Sequence, residues 1–96
     1  MRLLYTDVAR REASDILAHI AQHNATAAEA VAHAIESTIA RLFAFPLLGS
    51  QTDMAGVRMI VARPHPYLIF YSIEDDELVI RNIRHPARHH LTTGKS

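Results

Sequence analysis

The 96 residues, 49% of them hydrophobic, hold enough apolar material for one core, so one folded domain over residues 1–96 is expected rather than disorder. The chain has no cysteine, which rules out a disulfide framework and any thiolate metal site. Ten Lys/Arg balance ten Asp/Glu, but unevenly: residues 1–77 carry six basic groups against ten acidic ones, a net −4, whereas 78–96 carry Arg81, Arg84, Arg88 and Lys95 with no acid, a net +4, together with His85, His89 and His90. Such a split favours an anionic partner at the C-terminal end; a solvated basic tail over about 86–96 explains the composition equally well.

The opening "MRLLYTDVARREASD" has no apolar segment of signal-peptide length, because Asp7 and Glu12 interrupt it. No apolar run approaches the roughly 20 residues that cross a bilayer. A soluble, cytoplasmic protein without membrane contact is the expectation.

"LLYT" (3–6) is a short strand candidate. From Asp7 the period changes: Ala9, Ala13, Ile16, Leu17 and Ile20 recur at helical spacing, with Arg10, Arg11, Asp15 and His19 between them. His23-Asn24 should end this helix, since Asn tolerates the left-handed conformation of a C-cap. "TAAE" (26–29) has the form of a capping box, with Thr26 capping and Glu29 reaching back. The second helix then carries Ala28, Val31, Ile35, Ile39, Leu42 and Phe43 on one stripe and is closed by Pro46 and Gly49. So short a connection implies an antiparallel helix hairpin.

Beyond Gly56 the pattern is extended. "VRMIVA" (57–62) is rich in branched residues, and Pro64 and Pro66 keep "RPHP" out of a ladder. "YLIFYSI" (67–73), almost continuously apolar, reads as a central strand covered on both faces. "EDDE" (74–77) is a tight turn into a returning strand, "LVIRNI" (78–83). The order β-α-α-β-β-β predicts an α+β domain in which a helix hairpin packs one face of a small antiparallel sheet and leaves the other face for solvent or a partner.

Motifs for chemistry are sparse. His19 and His23 stand at i, i+4, but there is no intervening Glu and no third ligand, so two solvent-facing histidines are the simpler reading and no metal or cofactor is expected. No serine sits in a glycine elbow, and Gly49, Gly56 and Gly94 are isolated, which argues against nucleophilic hydrolases and phosphate-cradling loops. A cationic set on the sheet remains: Arg58 in the first strand of the meander, Arg81 in the last, then Arg84, His85 and Arg88. Strict alternation would turn Arg81, Ile83 and His85 one way and Ile80, Asn82 and Arg84 the other. Guanidiniums suit carboxylates and phosphates through their planar fork, and a neutral histidine can act as a base. Alternatively, His85 and Arg88 simply tie the C-terminal segment to the domain.

These segments resemble the ParE/RelE toxin superfamily of type II toxin–antitoxin systems. The likeness runs over about 3–90, through the helix hairpin with "FPLLG" after it, the G-x-R of Gly56 to Arg58, the P-Y-x-I-F-Y strand, and a closing I-x-H-x-x-R at Ile83, His85 and Arg88. The resemblance implies the same β-α-α-β-β-β fold, nearest to ParE plasmid-stabilisation toxins, and a cognate antitoxin whose C-terminal segment wraps the toxin. It also implies one of two activities. ParE-like members poison DNA gyrase without cutting nucleic acid; RelE-like members cut messenger RNA on the ribosome with basic sheet residues and a C-terminal tyrosine or histidine. Here Leu68 stands where such nucleases carry arginine, Ile60 stands near their lysine, and no tyrosine follows Tyr71. A ribosomal nuclease is also expected to be basic overall. The expectation is therefore a non-enzymatic gyrase inhibitor that uses Arg58, Arg81, Arg84, His85 and Arg88 to hold its target or antitoxin. The alternatives are an mRNA nuclease built on Arg58, His85 and Arg88, or a decayed toxin that only binds.

Overall fold

The structure is a computed structural model in which residues 1–87 are described; Arg88 and the rest of the basic tail to residue 96 lie outside them. The elements run β1 (Arg2–Tyr5), α1 (Asp7–Ala21), α2 (Ala25–Ala44), β2 (Ser50–Gln51), β3 (Arg58–Val61), β4 (Leu68–Glu74) and β5 (Glu77–Arg84). They form one five-stranded sheet in the order β1-β5-β4-β3-β2. The helix hairpin packs one face of it, as the periodicity predicts. The sheet is mixed, whereas an antiparallel one is expected from the sequence. β2–β5 pair antiparallel, but β1 joins β5 in parallel, Arg2 beside Glu77 through Tyr5 beside Ile80. Two helices and three strands separate β1 from β5, so no short turn dictates their direction.

Each helix begins on a side-chain cap. Thr6 Oγ1 accepts the Ala9 N–H at 3.0 Å and donates to the Arg81 carbonyl at 2.9 Å, so one hydroxyl starts α1 and fixes it to β5. Asp7 places a negative charge in the first turn, at the positive end of the helix dipole. The capping-box reading fails at α2: Asn24, not Thr26, is the N-cap, its Oδ1 accepting the Ala27 N–H at 3.0 Å. Asn24 is also extended (φ −162°) rather than left-handed. It opens the second helix instead of closing the first, which ends at Ala21 with Gln22 as C-cap.

The core lies between the layers. Ile16 of α1 and Val31, Ile35, Ile39 and Leu42 of α2 pack on Ile69, Tyr71, Leu78, Ile80 and Ile83. Burying each such aliphatic side chain contributes on the order of 2 kcal/mol. Phe43, expected on the α2 stripe, is 39% exposed, and the Phe45 and Leu47 that follow are more so. β4 is the central strand, but only one of its faces is closed: Ile69 and Tyr71 are fully buried while Leu68 and Phe70 are half-buried. The β4–β5 turn places Asp75 and Asp76 at φ 50° and 62°, the double positive φ of a two-residue hairpin.

One irregularity decides the site. The β4–β5 register runs Phe70 with Asn82 and then Tyr71 with Ile80, so Arg81 is an extra residue on β5. Strict alternation therefore breaks there. Ile80 and Ile83, expected on opposite faces, are both buried in the core.

Two outcomes test this packing. Thr6→Ala should cost about 1 kcal/mol in denaturant unfolding, with Thr6→Ser recovering most of it. Burial first, and Glu36 second, raise the Tyr5 hydroxyl above its ordinary pKa of 10.0. The folded state thus holds this proton more tightly than the unfolded chain does. Its contribution is complete below pH 10 and is lost as the pH rises above it. Tyr5→Phe should flatten that alkaline loss in melts recorded from pH 8 to about 11.

Candidate functional site

The uncovered sheet face carries a groove of about 580 Å³. Pairing of Met59 with Phe70, Phe70 with Asn82, and Leu68 with Arg84 brings these side chains together across three strands. Val57, Met59, Leu68 and Phe70 give an apolar floor, the β2–β3 connection with Asp53 and Met54 forms one wall, and Asn82 and Arg84 close the β5 side. Thr52 stiffens the wall, its Oγ1 donating to Val57 O at 2.9 Å and accepting from Met54 N at 3.1 Å. Gly56 lets the loop turn back with φ +79°, a conformation that strains other residues.

Arg84 is held from the helix layer. β1 covers β5 only to Ile80, and beyond that point Glu12 of α1 takes the place of a strand. Its Oε1 accepts the Ile83 N–H at 2.9 Å and the Asn82 side-chain amide at 3.3 Å, while its Oε2 lies 3.3 Å from Arg84 Nε. That Nε is buried and makes no hydrogen bond of good geometry, so the ionic contact is all that balances it. Such half-satisfied charges are costly to desolvate unless a further partner completes them.

Among the described residues, the predicted cations Arg58, Arg81, Arg84 and His85 do not converge. Arg81 ion-pairs with Glu74 at 3.0 Å, the same Oε2 that accepts from Ser72 Oγ at 2.7 Å. Arg58 pairs across the ladder with the core residue Tyr71, on the face packed by the helices, and donates to Gly49 O at 2.7 Å and Leu47 O at 3.4 Å. It is thus on the opposite face from Arg84. The His85 ring stands edge-on to Tyr67 with centroids 5.4 Å apart, and its Nδ1 accepts the Ala87 N–H at 3.2 Å. The histidines at 19 and 23 are exposed and stack edge-to-face at 5.7 Å. Among the described residues no three His, Asp or Glu are grouped so as to hold a metal ion, and no helix is long and apolar enough to cross a membrane.

Three residues escape sequence reasoning. Glu12 looks like any polar helix residue, because its partners are 70 and more positions away. Tyr71 reads as strand filler, yet its buried hydroxyl donates to Pro46 O at 2.7 Å and accepts the Gly49 N–H at 2.9 Å. Gly49 is needed there for space: a Cβ would lie 2.7 Å from the Tyr71 hydroxyl and 2.9 Å from Met59 O. The only sequence trace of this latch is the compact "FPLLG" run after α2.

The profile of the family described as the ParE toxin of the type II toxin–antitoxin system parDE matches residues 3–90. Among solved structures the chain is similar to one titled as the chromosomal ParDE toxin–antitoxin system from P. aeruginosa. The TM-score is 0.77 at 20% identity, over 88% of this chain and 95% of that one. No curated protein matches.

The latch is directly testable. Tyr71→Phe keeps the ring and strands the Gly49 amide, which should cost about 1–3 kcal/mol. Gly49→Ala should cost at least as much, since backbone and a rigid phenol must both give way. Urea midpoints measure both, and an unchanged midpoint for Tyr71→Phe would show that the hydroxyl does not hold the loop.

Proposed function

The chain belongs to the ParE toxin family of type II toxin–antitoxin systems, and from that premise we propose that it inhibits DNA gyrase by binding, cleaves no nucleic acid, and is neutralised in the cytoplasm by a cognate antitoxin. The observation that carries the non-enzymatic reading is the disposition of the basic residues. Phosphodiester cleavage needs a base and cations converging on one phosphate. Among the described residues, Arg58 is spent on backbone carbonyls behind the sheet, while Arg84 lines the groove in front of it. The positions where related nucleases carry cations hold Ile60 and Leu68, and Leu68 forms part of an apolar floor.

The partner's chemistry follows from the same surface. An antitoxin segment that buries apolar side chains on the sheet and supplies acids to its arginines would satisfy groups the toxin leaves open. A neutral protein, formal charge +0, is drawn to a protein partner through such local contacts more readily than to a polyphosphate.

Purified protein should abolish supercoiling by DNA gyrase in a dose-dependent way, with the block relieved by antitoxin, while messenger RNA stays intact in cells expressing the toxin. Unimpaired supercoiling at toxin excess, with messages cut on the ribosome, would transfer the assignment to the nuclease. Unimpaired supercoiling and unimpaired growth would leave a non-toxic binding module.

A further inference from the structure

We propose that the groove on the uncovered sheet face is the receptor for one segment of the antitoxin, in which a carboxylate docks on Arg84 and adjacent apolar residues fill the floor of Met59 and Leu68, with Glu12 as the residue that positions Arg84. This rests on the antitoxin reading above and adds to it a location, a polarity and a mechanism of presentation.

Geometry leads there in three steps. First, Arg84 is restrained but incompletely used. Glu12 meets the guanidinium only at Nε, at 3.3 Å, and among the described residues no partner engages its two outer nitrogens. A guanidinium held along its stem side presents its outer edge as a fork, the shape that accepts a carboxylate bidentately. Glu12 is itself fixed by the Ile83 amide and the Asn82 side chain, so the fork is set before a partner arrives. Preorganisation of this kind lowers the ordering cost of binding.

Second, the surface beside the fork is apolar and open. Met59 and Leu68 are half-buried, and Met54 on the wall is 63% exposed. Methionine adapts to varied apolar partners. Third, the two charges at the rim differ in sign: Arg84 on the β5 side and Asp53 on the β2–β3 side. A peptide lying across the floor with its acid at Arg84 and a neutral or basic residue at Asp53 is matched, and the reverse orientation puts acid against acid. Arg81 competes poorly for the acid, since Glu74 already holds it at 3.0 Å.

The test uses the full chain and the ParD-type protein of its own operon, if expression from the adjacent reading frame yields one, titrated by calorimetry and checked for stoichiometry by light scattering. Arg84→Gln and Leu68→Gln should each weaken the complex at least tenfold. Glu12→Gln keeps an acceptor for Ile83 N but loses the ion pair, and should weaken it several-fold. Arg84→Gln should also flatten the salt dependence of binding, an effect that a merely structural role for Arg84 would not produce. Circular dichroism melts of the variants separate lost contacts from lost fold. Wild-type affinity in folded Arg84→Gln and Leu68→Gln would overturn the groove assignment while leaving the toxin–antitoxin reading intact. Failure of the wild-type chain to bind the antitoxin at all would instead sink that reading. If Leu68→Gln abolishes self-association and leaves antitoxin binding unchanged, the face is an interface between two copies of this chain and the proposal falls.

Discussion

A buried phenol ties the chain leaving the helix layer to the middle of the sheet. Tyr71 sits at the centre of the middle strand with no exposure, and a hydroxyl in that position is costly unless both its proton and its lone pair find partners. Both come from the chain leaving α2, Pro46 O and Gly49 N. Arg58, its neighbour across the ladder, adds a bond to Gly49 O from the adjacent strand. The loop is thereby bonded at consecutive points to the face of the sheet. It must then emerge at the far edge as β2, and β2 carries the hairpin that walls the groove. A residue on the inner face thus sets the geometry of the outer face.

Among the described residues, the basic groups of the last strand are paired in space. Arg84 faces Glu12 from the first helix, Arg81 faces Glu74 at the end of β4, and Arg2 of β1 reaches Glu77 of β5 at 2.6 Å. The exposed pairs among these add little stability. Glu12 differs because it also substitutes for a missing strand. A bare β5 edge beyond Ile80 would expose unpaired backbone groups ready for strand addition by another chain, and a carboxylate from the packed helix blocks that cheaply. Of the cations picked out by sequence that lie among the described residues, Arg84 is the one that borders the apolar groove of Met59 and Leu68.

Much of the fold was legible in the sequence because the signals are local. Apolar recurrence every three or four residues between Ala9 and Ile20, and again between Ala28 and Leu42, can only be satisfied by helices laid on something apolar. The acid pair in "EDDE" announces a tight hairpin, and its positive φ values bear that out. What misled was equally local reasoning applied one step too far. Thr26 and Glu29 fit a capping box, but Asn24 stands two residues earlier and caps first. Strict alternation assumed an unbroken ladder, and the extra residue at Arg81 re-aims everything after it. The site was less legible than the fold, because its organising contacts, Glu12 with Ile83 and Tyr71 with Gly49, link residues 71 and 22 apart. Neither leaves a periodic or compositional trace.

A two-layer domain this small cannot cover both faces of its sheet, and that constraint carries a functional consequence. Closing the second face would take another helix, whereas leaving it open exposes apolar side chains that water solvates poorly. The compromise visible here is a face whose apolar centre is half-buried by its own neighbours and whose rim is charged. Such a surface is tolerable alone and more stable when covered. A partner that binds only the folded form adds stability by mass action, so occupancy of the open face and persistence of the fold are coupled. For a neutral protein, long-range attraction contributes little to that encounter. On the docking proposed for the open face, selectivity comes from the few places where a fixed charge borders an apolar floor, and the Glu12-held guanidinium of Arg84 is such a place.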